Sequence, residues 1–217
     1  MLSDHDLHQA VLTELEWEPS VNASHIGVTA KNGVVTLSGH VLRYSEKQAA
    51  EKAAGRVRGV KAVAEEIEVR LSTETKRSDE DIAAAAVNRI SWNAMVPADA
   101  VKIKVEKGWV TLTGSVSEHF QKISAEMDIR GLYGVTGLSN QIAIKSTVSA
   151  ADVSDDIRSA LSRMWFLGPK TVNVSAVGGK IKLSGTVHSL HDRKLAASIA
   201  WAAPGAIAVE NDLSVVL

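Results

Sequence analysis

Ten residues recur three times in this chain of 217. NGVVTLSGHV spans Asn32–Val41, KGWVTLTGSV spans Lys107–Val116 and GGKIKLSGTV spans Gly178–Val187. The glycines before each phrase's strand are Gly33, Gly108 and Gly179, spaced by 75 and then 71 residues. Gly39, Gly114 and Gly185 repeat that spacing, and so do Gly59, Gly134 and Gly205. Three series in one register define three copies of a unit of about 70 residues, a size that can fold alone. A unit this long exceeds a solenoid repeat, so the expectation is separate units in a row rather than a stacked array. The boundaries read as 1–73, 74–147 and 148–217.

Each copy carries the same order of elements. A Ser-Asp pair opens it at Ser3-Asp4, Ser78-Asp79 and Ser154-Asp155. Such residues accept hydrogen bonds from the free N–H groups of a first helical turn. An amphipathic helix follows, with Leu7, Val11 and Leu15 on one side in copy one. A strand then alternates apolar and polar residues, with inward series Ile26, Val28, Ala30; Val101, Ile103, Val105; and Val172, Val174, Ala176. The Asn32-Gly33 pair suits the positive φ angles of a type I′ hairpin. In the strand that follows, Val35, Leu37 and Val41 face a core, while Thr36 and Ser38 face water. A second helix begins near Ser45, Ser117 and Ser189, and a last strand ends each copy. The fold class expected is α+β: three tandem α-β-β-α-β two-layer sandwiches, each with two helices on one face of a three-stranded sheet. The nine glycines above are read as fold-defining, through turns and close backbone approach.

Charge and composition exclude several function classes. The three segments carry net charges of −2, 0 and +1, which lacks the basic excess of a nucleic-acid binder. No cysteine is present, so thiolate nucleophiles and Cys-ligated metals are excluded. No apolar run approaches the ~18 residues of a membrane span. The opening residues place Asp4, His5 and Asp6 where a secretory signal would carry a basic region, so the expected location is cytoplasmic. A periplasmic location is expected only if the native N-terminus lies elsewhere.

The phrase pattern, with a later G-V-x-x-V, resembles the BON domain, named for bacterial OsmY and nodulation proteins. Gly33, Val35, Leu37, Gly39, Val41, Gly59, Val60 and Val63 carry the resemblance in copy one, with Gly108 to Leu138 and Gly179 to Val209 matching in the others. Ala206 replaces the valine after Gly205 in copy three. The resemblance implies modules that bind phospholipid or partner proteins in envelope and osmotic-stress settings, without a catalytic motif. It implies no cofactor.

Candidate contact residues are few. The spacing puts Trp17, Trp92 and Trp165 at the end of each first helix, where the expected role is capping the core, with anchoring at a membrane–water interface as the alternative. Trp109 lies on the polar face of its strand and is expected to pack against a neighbouring unit or to be exposed; Trp201, late in the last helix, is expected in the core. Lys180 and Lys182 on the wet strand face, with Arg193 and Lys194 in the next helix, form a basic surface suited to anionic head groups. His5/His8 and His188/His191 have metal-like i, i+3 spacing but no third ligand, and are read as surface histidines. Short polar linkers around 68–81 and 144–156 are expected to restrict the orientation of the units. The functional expectation is a non-enzymatic envelope or osmotic-stress protein that contacts phospholipid surfaces or partner proteins by repeated weak contacts. A chaperone-like scaffold and an ion or small-ligand sensor stand as alternatives.

Overall fold

The computed structural model describes residues 3–145, 154–163 and 172–216. The first module runs α1 (Asp4–Glu16), β1 (Ile26–Lys31), β2 (Val34–Val41), α2 (Tyr44–Arg56) and β3 (Ala62–Val69). The second runs α3 (Asp79–Ser91), β4 (Val101–Glu106), β5 (Trp109–Val116), α4 (His119–Arg130), then β6 (Gly137–Asn140) and β7 (Ala143–Ile144). The third runs α5 (Ser154–Ser162), β8 (Val172–Val177), β9 (Lys180–Val187), α6 (Leu190–Trp201) and β10 (Ala208–Val215). In each, the middle strand is central: it pairs antiparallel with the strand before it and parallel with the strand after the second helix. A hairpin makes the first pairing and a helical crossover makes the second.

Local chemistry explains the elements. Ser3 and Ser78 each cap a helix, and Asp6 and Asp81 complete the reciprocal capping boxes. Those serine hydrogen bonds hold both carboxyls below the usual aspartate range. Asp4 accepts from Asn32 N and Asp79 from Gly108 N, both at 2.8 Å, so the first helix also anchors the hairpin turn. Both central turn residues have positive φ, at 54° and 84° for Asn32-Gly33 and 51° and 77° for Lys107-Gly108, as a type I′ turn requires. At Gly114, φ is 125° and an added Cβ would stand 2.0 Å from the Ala100 carbonyl oxygen. Only glycine lets the start of β4 close on the middle of β5.

Each module has its own core between helices and sheet. Val35 and Leu37, Val110 and Leu112, and Ile181 and Leu183 are buried at equivalent positions. A polar clasp also repeats. Lys47 and Lys122 donate to the carbonyls of Ile67 and Ile142, at 2.7 and 2.8 Å, and Arg193 donates to the Asn211 carbonyl at 2.6 Å. The clasp ties each second helix to its last strand, and Asn140 and Asn211 answer by donating to the carbonyls of Lys122 and Arg193.

The modules are not separate units in a row. Tyr44, the first residue of α2, is buried in the second module's core beside Arg130 at the end of α4. His119, the first residue of α4, stacks on Trp201 at the end of α6, with centroids 4.2 Å apart and planes 5° from parallel. Leu190, the first residue of α6, packs on the first module's core beside Gly55 at the end of α2. Tyr44, His119 and Leu190 are equivalent in the repeat register, as are Gly55, Arg130 and Trp201. One head-to-tail interface is therefore used three times and closes on itself, as a heterologous contact does when its rotation completes a ring. The N-terminus of each second helix meets the C-terminus of another, an arrangement that macrodipoles favour.

Candidate contact surfaces

The four basic residues singled out in the third module do not share one fate. Lys182 bridges Asp212 at 2.8 Å and Glu210 at 3.3 Å on neighbouring β10, and these carboxylates raise its pKa. Arg193 is held in the clasp. Lys194 reaches across to Glu51 of the first module at 3.0 Å. Lys180 is exposed on the wet face of β9. The alternation that placed Lys180 and Lys182 on one face carries no information about acids on the adjacent strand, and helix phase alone does not show which module a side chain meets.

Trp109 packs within its own sheet and is half exposed. It pairs with Gly137 across β5 and β6, and its ring covers that glycine so closely that an added Cβ would fall 2.2 Å from it. The ring is 51% exposed on the outer sheet face. Trp109 is equivalent to Val34 and Lys180, so one outer position is apolar, aromatic and cationic in the three modules.

Trp17 and Trp92 correct the expectation of a core cap: they are 84% and 83% exposed. The reason is helical phase. Leu15 faces the core, and a residue two positions later lies ~200° around the helix, on the opposite side. Trp165 falls outside the described residues. Trp201 is partly buried against its module's core while also stacking on His119. Burial, followed by the charge of Lys122, lowers the His119 pKa. His5, His8, His188 and His191 join no group of three metal-ligating side chains among the described residues, where no helix is long and apolar enough to cross a membrane.

Two further features have no counterpart in the sequence reading. A groove of about 310 Å³ lies between α3 and β4, lined by Val87, Ile90, Val96, Val101 and Ile103 among others, with exposed Met95 nearby. A second cavity lies on the seam between α2 and α6. Column-by-column comparison of the three copies is the signal that finds the second, since it lies where the copies diverge.

The BON domain family model matches residues 3–70, 78–146 and 149–216. Over 133 residues the chain is 29% identical to Osmotically-inducible protein Y of Escherichia coli (strain K12), covering 55% of this chain and 66% of that relative, just under two thirds of its length. Among solved structures it is similar to CdsD, a structural protein of the Type III secretion system of Chlamydia trachomatis, at 17% identity and a TM-score of 0.26, covering 97% of this chain and 92% of that one. The CdsD C-terminal domain matches at 17% identity and a TM-score of 0.27, covering 99% and 100%. Likeness at that level is too low to transfer any arrangement of modules.

Proposed function

The chain belongs to the BON domain family, and on that premise we propose a non-enzymatic binding protein of the osmotic-stress or envelope type that contacts phospholipid surfaces. The observation that carries this reading is the pair Trp17 and Trp92, large amphipathic rings left in solvent at equivalent ends of α1 and α3. Tryptophan favours the membrane–water boundary, where its ring is apolar and its N–H stays wet. Closure of the modules holds both rings on one body, so weak contacts act together. Lys180 supplies a cation for anionic head groups, worth about 1 kcal/mol near such a surface. A cytoplasmic location would present these groups to an inner leaflet. The test is flotation with neutral and anionic vesicles. Binding that falls at least tenfold in the Trp17→Ala, Trp92→Ala double variant supports the reading, and vesicle binding indifferent to both residues refutes it.

The α3–β4 groove favours a second reading, docking of an apolar segment of a partner protein beside Trp92 and Met95. Protection of an aggregating client, lost on Val87→Glu, would support it. Unchanged aggregation would end it.

A further inference from the structure

We propose that the seam between α2 and α6 is a binding site for a phosphate group. A cavity of about 320 Å³ opens there, lined by Lys52, Gly55 and Arg56 from the first module and His191 and Lys194 from the third. That volume falls within the ~300–1,000 Å³ of small-ligand sites. Every polar lining side chain is a cation or an imidazole, and no carboxylate lines the cavity.

The repeat supplies an internal control. Where α2 carries Lys52, α4 has Met127 and α6 has Ser198; where α2 carries Arg56, Gly131 and Ala202 follow the ends of α4 and α6. Where α6 carries His191, the other second helices have Ser45 and Phe120; where it carries Lys194, they have Gln48 and Ile123. The fold repeats this seam three times, and only the α2–α6 seam carries basic residues at these columns; the arginines of the α2–α4 seam, Arg43 and Arg130, stand at other positions. A scaffold role does not require that difference, because the other two seams close without it. Gly55 makes the room. Its equivalents Arg130 and Trp201 put long side chains at that place, whereas Gly55 leaves it open while Leu190 approaches to 3.6 Å from where a Cβ would be.

The charges at the site are unevenly satisfied. Arg56 is held by Glu14 at 2.7 Å and Glu18 at 2.8 Å, and Lys194 by Glu51 at 3.0 Å, all from outside the lining. Lys52 has no hydrogen bond or ion pair among the described residues. Lys52 is exposed to solvent, and partial desolvation beside α6, then the nearby charges of Arg130 and Lys194, lower its pKa, while Glu126 and Glu51 only partly offset them. A bound phosphate would accept hydrogen bonds from Lys52 and Lys194 and bridge the first module to the third. The site would serve whether or not the protein meets a membrane.

The experiment is a melting and calorimetric titration of the full chain, with inorganic phosphate against chloride at equal ionic strength, and vesicle binding with and without phosphatidic acid as a parallel arm. The variants are Lys52→Met, which installs the second module's residue, and Lys52→Arg. A saturable, phosphate-specific rise in Tm, at least tenfold weaker in Lys52→Met and restored in Lys52→Arg, is expected for a free phosphate. Phosphatidic-acid binding with that same variant pattern, and no response to soluble phosphate, would assign the group to a lipid. The proposal is overturned if chloride matches phosphate in the first arm and vesicle binding is indifferent to Lys52, or if all three proteins respond alike.

Discussion

The seam between the third and first modules and the seam between the second and third occupy the same positions of the repeat but are built from different chemistry. Leu190 lies against Gly55 and the first module's core, so α2 and α6 approach closely around an apolar contact with a basic cavity beside it. His119 lies flat on Trp201, an aromatic contact with a titratable ring. The backbone decides where second helices meet; the side chains decide whether the joint is apolar, charged or sensitive to protons. The first-to-second seam is a third solution, with Tyr44 buried, Arg43 5.3 Å from the centre of the Tyr133 ring, and Arg130 Nε buried without a hydrogen-bond partner among the described residues. Repetition thus fixes geometry and leaves each joint free to specialise.

The most severe way to break the comparison is to remove the second module while sparing the α2–α6 seam. Gly114→Ala drives a Cβ into the Ala100 carbonyl at a φ that disfavours side chains, so a loss of about 3 kcal/mol is expected. Hydrogen exchange should show protection collapsing in β4 and β5 first; uniform protection would mean that the backbone relaxes around the methyl. Next in size is Leu190→Asp, which places a carboxylate against apolar groups and should weaken the closing seam by about 2 kcal/mol. Small-angle scattering should report a larger radius of gyration with helix content intact, and an unchanged radius would show that the other two seams suffice for closure.

A smaller effect compares hairpins at one register position. Lys107 holds φ at 51°, where Asn32 in the first module is at ease. Lys107→Asn should stabilise the second module by about 0.5–1 kcal/mol, read as a higher urea midpoint. The smallest effect separates the seams by pH. The pKa of His119 is lowered in the folded chain, so the neutral ring is the form the seam favours. Its stability is full above the ordinary histidine value of 6.5 and declines as pH falls through that value toward the lowered one. Melting from neutral to mildly acid pH should show a decline that His119→Phe abolishes, while Leu190 variants keep it.

Much of the fold was legible because it depends on short-range rules. Ser3 and Ser78 announced helix starts, Asn32-Gly33 a hairpin, and the alternation through Val35 and Leu37 a half-buried strand. The candidate surfaces were less legible. Trp17 and Trp92 follow from helical phase once Leu15 is set inward, but an aromatic at a helix end also fits a core. Arg193 and Lys194 are neighbours in sequence, yet one closes its own module's clasp and the other reaches Glu51, a distinction that depends on which helix lies alongside.

By itself the sequence determined three copies of one α+β unit, the inward and outward faces of their strands, their hairpin turns and the absence of any cysteine chemistry. These follow from periodicity and local steric preference, which each copy satisfies alone. Only the tertiary structure decided that Tyr44, His119 and Leu190 are joints, and that Lys52, Arg56, His191 and Lys194 share one cavity. These residues come from helices up to about 140 positions apart. No local rule links such residues, and only the closing of the ring brings them together.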